Sequence, residues 1–345
     1  VAYGFYPNGE GVALAVNGEE GMIVHPKKVI MATGASENPL AFPGWTLPGV
    51  VGAGAIQTMI NVHRVSVGQR VLMIGSGNVG LIVTYQLLQA GIDVAGIVEA
   101  APQLGGYGVH AGKVRRAGVP LYVGHTVLEA VPNEDMSGVK GAIVAEVDNK
   151  FQPIPGTEME FDVDTVLLSV GLIPENELTR SAGITMDPAT SGPVVYENME
   201  TSAEGIFASG NVVHVHDLVD FVTAESQKAG KSAAEYVKNG ETKDQTCIDI
   251  KNGDGVNGIV PQKVRPSNVD KKVEVMFRAR NVFTDVAIKV KSNGEELASF
   301  KREHMAPGEM EKIVIPKAFL DKVENGEITV SVEKEIGRAS CRERV

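Results

Sequence analysis

The run Gly75-Ser76-Gly77-Asn78-Val79-Gly80 constrains this chain more than any other stretch, because of what stands on either side of it. Residues 70–74, Arg-Val-Leu-Met-Ile, read as a short buried strand. From Val79 onward, Val79, Ile82, Val83, Gln86, Leu87 and Ala90 recur at helical spacing, and Gly91 supplies the stop. Residues 94–98 read as a second strand, closed by Glu99. Strand, glycine turn, helix and strand within about thirty residues form the unit that binds a dinucleotide. Gly75 permits the tight turn, Gly77 lets a pyrophosphate approach the backbone, and Gly80 lets the helix pack close to the strand. The free N–H groups at the helix start, around Ser76, Asn78 and Val79, then face the phosphates. Glu99 falls about twenty residues after the turn, where its carboxylate can accept hydrogen bonds from both hydroxyls of an adenosine ribose. The residues that follow, Ala100, Ala101, Pro102 and Gln103, include no base, and Arg115 and Arg116 lie beyond the loop 105–108. A 2′-phosphate would meet like charge at Glu99, so the expected cofactor is NAD, with NADH preferred over NADPH.

Two further motifs flank this unit. Ala32-Thr33-Gly34-Ala35 follows the apolar run Val29-Ile30-Met31, and Gly205-Ile206-Phe207-Ala208-Ser209-Gly210-Asn211 lies far downstream. Between them, Ser169-Val170-Gly171-Leu172-Ile173-Pro174 follows a strand over residues 165–168. Four glycine turns, in the chain order 32–35, 75–80, 169–174 and 205–211, resemble the two-dinucleotide-binding flavoproteins, the pyridine nucleotide-disulfide oxidoreductase superfamily that includes thioredoxin and glutathione reductases. Residues 171–178 and 214–222 are similar to oxidoreductases associated with anaerobic glycerol-3-phosphate-type dehydrogenases. Residues 40–101 also resemble the FAD/NAD-binding subunits of hydrogen cyanide synthase, opine oxidase and sarcosine oxidase. The resemblance spans about residues 25–334 and is specific for cofactors and fold, much less so for substrate.

The resemblance implies an α/β fold with two Rossmann-like dinucleotide-binding domains, one for FAD and one for NAD inserted into it. On that layout residues 1–47 are the remnant of the first FAD half and residues 48–168 the inserted NAD(P) domain. Residues 169–245 are the second FAD half. Residues 260–334, where apolar and polar positions alternate, form a small C-terminal antiparallel β module. The resemblance places Ala32, Thr33, Gly34, Gly171, Gly210 and Asn211 at FAD, with Asn211 where Asp is more usual. It also places His216, Asp217 and Leu218 at the flavin, at the entrance to a helix over residues 218–237 ended by Asn239-Gly240.

Both ends are unusual. The superfamily begins with a strand, glycine fingerprint and helix for the FAD pyrophosphate, whereas this chain opens at Val1 on hairpin-like sequence. The expectation is that the FAD domain is incomplete at its N-terminus and the chain an inactive fragment of a longer enzyme. Residues 335–345, Glu-Ile-Gly-Arg-Ala-Ser-Cys-Arg-Glu-Arg-Val, look like a translated sequencing adapter, to be kept out of fold reasoning.

Composition narrows the function. A net charge of -11 argues against nucleic acid, which needs a basic footprint. No apolar run approaches the roughly 18 residues of a membrane span, and a cytoplasmic location is expected. The two cysteines, Cys247 and Cys341, provide no disulfide framework. Residues 52–61, where thioredoxin reductases carry their dithiol, hold no cysteine, which excludes disulfide exchange there. No catalytic acid or base is assigned, because hydride transfer between nicotinamide and flavin asks little of one. His214, His216 and Asp217 have the chemistry of metal ligands, but no further ligand stands at suitable spacing, and no metal is expected. The loop 105–108 reads equally as a cover for the nicotinamide and as a connector. The expected function is an FAD-dependent NAD(P)H oxidoreductase, the electron-transfer subunit of a larger dehydrogenase. Its partner is a small-molecule substrate or a dehydrogenase subunit, with homo- or hetero-oligomers left open. The alternative is a non-catalytic nucleotide-fold scaffold.

Overall fold

The computed structural model describes residues 2–6, 11–16, 20–240, 246–323 and 326–334. The tail at residues 335–345 lies outside the described residues. The chain divides into two compact units, Glu37–Leu172 and the remainder.

The unit Glu37–Leu172 is built on a five-stranded sheet in the order Val50–Gly52, Thr165–Leu168, Arg70–Ile74, Asp93–Glu99 and Leu121–Val123. Every pairing in it is parallel. The central strand explains why its sequence is apolar at every position after Arg70. Val71 and Met73 pack with Leu81, Val83 and Leu87 of the helix Asn78–Gln89. Leu72 and Ile74 face the opposite way and share a core with Val127, Ala130 and Val144. Those last residues belong to a three-stranded antiparallel meander, His125–Pro132, Val139–Glu146 and Met159–Asp162. A parallel strand buried on both faces carries side chains worth about 1.5–3 kcal/mol each, so alternation disappears from its sequence.

In the other unit, Val29–Met31 pairs in parallel with Ile206–Ala208. The helix Val219–Asn239 contributes Ala229, Ala233 and Tyr236 to the same core as Val212, Phe207 and Met31. Gly240 follows its last residue at φ +79°, as the Asn239-Gly240 stop predicts.

The C-terminal segment forms two sheets around one core. One runs Lys263–Val264, Ile248–Asn252, Glu327–Lys334, Phe283–Ser292, Glu295–Met305, and the other Val256–Val260, Lys272–Ala279, Met310–Pro316. Val273, Val275 and Phe277 point inward against Ile250, Ile288 and Val330. Alternation predicts antiparallel strands, and most pairs are. The exception is Ile248–Asn252, which lies parallel to Glu327–Lys334. Alternation reports which face is buried, not which way the neighbour runs. A parallel pair also needs a long crossover, here supplied by everything between those strands.

Candidate dinucleotide site

The glycine turn leaves the carboxyl end of the central strand and enters the helix Asn78–Gln89. Gly75 has φ +101°, and a Cβ there would stand 2.2 Å from the carbonyl oxygen of Ser169. Gly80 is as constrained, since its Cβ would meet the Gly75 carbonyl oxygen at 2.3 Å. Gly77 differs: no atom lies within 4 Å of where its Cβ would be. It is the helix N-cap, and no side chain caps the helix. The turn therefore presents an open approach at Gly77 beside uncapped N–H groups, the arrangement that receives an anion.

Glu99 closes the adjacent strand and is held firmly. Its Oε2 accepts from the Ser76 N–H at 3.0 Å and from the Ser76 hydroxyl at 2.6 Å. Its Oε1 accepts from the Ala101 N–H at 2.9 Å. The loop 105–108 is tied to the fingerprint. Gly105 N–H donates to Ser76 Oγ, Gly106 N–H to the Ser76 carbonyl, and Tyr107 N–H to Asn78 Oδ1. Gly108 then opens the helix Gly108–Arg116, with Arg115 and Arg116 exposed on its last turn. Val79 is half exposed on the first turn of the fingerprint helix. Gly171, also in this unit, has φ +101° and its carbonyl accepts the Asn38 N–H at 3.0 Å.

The second set of turns lies in the other unit. Ala32, Thr33 and Gly34 follow Val29–Met31, and Gly210 and Asn211 follow Ile206–Ala208, so both leave the carboxyl ends of paired parallel strands. That is where open α/β sheets receive ligands. Ser209 N–H donates to the Met31 carbonyl and ties the two turns together. Thr33 donates its hydroxyl to the Glu175 carbonyl at 2.6 Å, and Gly34 presents open space at its Cβ position. Asn211 Oδ1 accepts the His216 N–H at 3.0 Å. Leu218 and Val219, at the start of the long helix, are exposed, and no side chain caps it.

His216 and Asp217 are placed differently from Leu218. The His216 side chain is fully buried beside Glu225, its Nε2 3.3 Å from Oε1, so only its backbone faces outward chemistry. Asp217 is engaged by the C-terminal module: Oδ1 pairs with Arg278 at 2.6 Å and Oδ2 accepts the Met310 N–H at 2.6 Å. Glu225 is the residue that sequence reasoning misses. Its Oε2 meets His214 Nε2 at 2.9 Å, and its Oε1 accepts the Gly210 N–H at 2.7 Å. Burial pushes this carboxyl up, but the imidazoles of His214 and His216 outweigh it and hold it down at about 2. Burial keeps His214 below the ordinary imidazole range, against the pull of Glu225.

The three side chains bring ligand atoms within 4.8 Å of one another, close enough to hold a metal ion. Metal-ligating imidazoles hand their second ring N–H to an acceptor. Here Nδ1 of both rings, and Nε2 of His216 as well, are buried without a hydrogen-bond partner among the described residues. An ion on the Nε2 atoms would leave both buried Nδ1 donors unmatched; without one, His214 Nε2 meets Glu225 at 2.9 Å, while His216 Nε2 lies 3.3 Å from Oε1 without a hydrogen bond.

Residues 8–240 match the pyridine nucleotide-disulphide oxidoreductase family. The hydrogen cyanide synthase subunit HcnB of Pseudomonas aeruginosa is 31% identical over 51% of this chain and 41% of that protein. An opine oxidase subunit of Agrobacterium tumefaciens is 27% identical over 58% of this chain and 42% of that protein. The chain thus spans less than half the length of either relative. Among solved structures, an FAD-dependent pyridine nucleotide-disulphide oxidoreductase from Desulfovibrio vulgaris superposes with a TM-score of 0.53 at 20% identity. That likeness covers 81% of this chain and 67% of the other, and it speaks to the fold alone.

Proposed function

The chain belongs to the pyridine nucleotide-disulphide oxidoreductase family, and from that premise we propose that it serves an FAD-dependent NAD(P)H oxidoreductase in which a hydride passes between nicotinamide and flavin. The observation that carries this reading is the turn at Gly75–Gly80: open at Gly77, uncapped at the helix start, and flanked by a fixed Glu99. The pyrophosphate of a nicotinamide dinucleotide would rest on the backbone at Gly77, Asn78 and Val79, and its adenosine ribose on Glu99. FAD would be held by Thr33, Gly34, Gly210 and Asn211, with the uncapped helix start at Leu218 supplying positive potential. The open Cβ position of Gly34 fits such a ligand. When bound, the flavin supplies the hydride acceptor or donor; the protein orients the partners and tunes the field around them.

NADH is the preferred cofactor. The carboxylate of Glu99 is pinned by Ser76 and Ala101, so it cannot swing away from a 2′-phosphate. Like charges in a partly desolvated site repel by a few kcal/mol. Disulfide exchange does not occur at the segment 52–61, where the α-helix Ala53–Thr58 and the π-helical segment Met59–His63 carry no thiol. HcnB and the opine oxidase relative are each named as one subunit of their enzymes, which supports a role as the electron-transfer subunit of a larger dehydrogenase. No described helix is long and apolar enough to cross a membrane. The nicotinamide cofactor favours a cytoplasmic location. The test is the absorbance of the flavin-loaded protein mixed anaerobically with NADH. Bleaching of the flavin band supports the reading, and a flavin that stays oxidised overturns it.

A further inference from the structure

An ionised carboxylate offers about four acceptor sites, two on each oxygen. Glu99 has three of them filled. Oε2 takes both the N–H and the hydroxyl of Ser76, and Oε1 takes the Ala101 N–H. The Ser76 hydroxyl cannot turn elsewhere. Ser76 is fully buried, and its oxygen accepts the Gly105 N–H at 3.0 Å, which leaves its proton directed at Glu99. One acceptor site remains, on Oε1. The sequence alone suggests that Glu99 bonds both hydroxyls of an adenosine ribose; the structure has room for one.

We infer that Glu99 reads a single ribose hydroxyl and that Ser76 is the positioning residue that limits it to one. This rests on the reading that the unit binds a nicotinamide dinucleotide. The hydroxyl read is the 2′, the position an acid at the end of this strand contacts. The 3′-hydroxyl then makes its bonds elsewhere or to water. Ser76 also links the carboxylate to the loop: the chain of donors Gly105 N–H, Ser76 hydroxyl, Glu99 sets the loop and the carboxylate together.

The experiment titrates the chain with NADH, 2′-deoxy-NADH and 3′-deoxy-NADH (deoxygenated on the adenosine ribose), following nicotinamide fluorescence. The 2′-deoxy analogue should bind about 10- to 100-fold more weakly than NADH, the scale of one hydrogen bond to a charged group. The 3′-deoxy analogue should bind within about threefold of NADH. In Ser76→Ala the carboxylate loses the buried hydroxyl that holds Oε2 and can turn toward the ribose, and loss of the 3′-hydroxyl should then weaken binding several-fold. Ser76→Thr, which keeps the hydroxyl, should restore the wild-type pattern. If Ser76→Ala does not fold, Ser76→Cys, a far weaker donor, should show the same change. Equal losses for both analogues in the wild-type chain would overturn the inference, as would an unchanged pattern in the variant that frees Oε2. Failure of NADH itself to bind would instead overturn the cofactor reading beneath it.

Discussion

Gly75 and Gly77 belong to one motif, yet the structure separates what each does. Gly75 sits at φ +101°, and a methyl group there would collide with the Ser169 carbonyl oxygen at 2.2 Å. A non-glycine backbone in that region carries about 1–3 kcal/mol of strain. Driving a methyl into fixed backbone adds about 1–3 kcal/mol more. Gly75→Ala should therefore destabilise the unit by about 2–6 kcal/mol, a large share of the roughly 5–15 kcal/mol of a typical domain. At about 2–4 °C per kcal/mol, its melting transition should fall by at least about 4 °C. It should also lose NADH binding, because relieving the clash moves the Ser76 N–H off Glu99. Gly77 has φ −63° and open space at its Cβ position. Gly77→Ala should melt within about 4 °C of wild type, since an N-cap change of this size is worth about 1 kcal/mol or less. It should nevertheless weaken NADH at least tenfold, because the methyl occupies the approach to the backbone. Differential scanning calorimetry and a fluorescence titration measure both. If Gly75→Ala melts with wild type, or if the two variants lose equal stability, the division of roles is wrong.

Arg265 is buried and bonds Glu197 and Glu200 through its guanidinium while stacking on Tyr196 at 4.3 Å. Arg265→Ala leaves two buried carboxylates without it and should destabilise the protein by about 3–5 kcal/mol, read as a lower denaturant midpoint. Glu225 is held at about 2, below its ordinary 4.5. A depressed carboxylate stabilises the fold above pH 4.5 and loses that contribution as pH falls toward 2, here roughly 3 kcal/mol. Glu225→Gln should therefore flatten stability against pH between 4.5 and 2, and an unaltered slope would show that the imidazoles do not hold the charge. Cys247 is a free, half-buried thiol. Cys247→Ser should leave flavin reduction by NADH unchanged, and a large loss would reveal an unrecognised redox role.

The fingerprint is legible in the sequence because its requirements are local. A tight turn, a bare N-cap and an acid at the next strand end are set by residues close in sequence, and Gly75, Gly77, Gly80 and Glu99 stand as the pattern demands. What escapes the sequence depends on residues that meet only after folding. Glu225 lies on the helix Val219–Asn239 beyond any ligand spacing counted from His214 and His216, so spacing cannot name the carboxylate they share. Asp217 reads from sequence as a cofactor contact, and its partners Arg278 and the Met310 N–H come from strands far along the chain that no spacing could name. Ser76 reads from sequence as a backbone donor at the helix start. Its hydroxyl, turned inward between Gly105 and Glu99, gives it a second role that no spacing rule contains. The parallel pairing of Ile248–Asn252 with Glu327–Lys334 escapes for a related reason, since strand direction is settled by tertiary closure.

The most direct test of the account is a binding comparison on the wild-type chain and Glu99→Ala, each titrated with NADH and with NADPH by nicotinamide fluorescence. The account predicts that the wild-type chain binds NADH at least tenfold more tightly than NADPH, the repulsion of Glu99 being worth a few kcal/mol. It predicts that Glu99→Ala narrows the gap, weakening NADH and admitting NADPH. Equal or tighter binding of NADPH by the wild-type chain would contradict it.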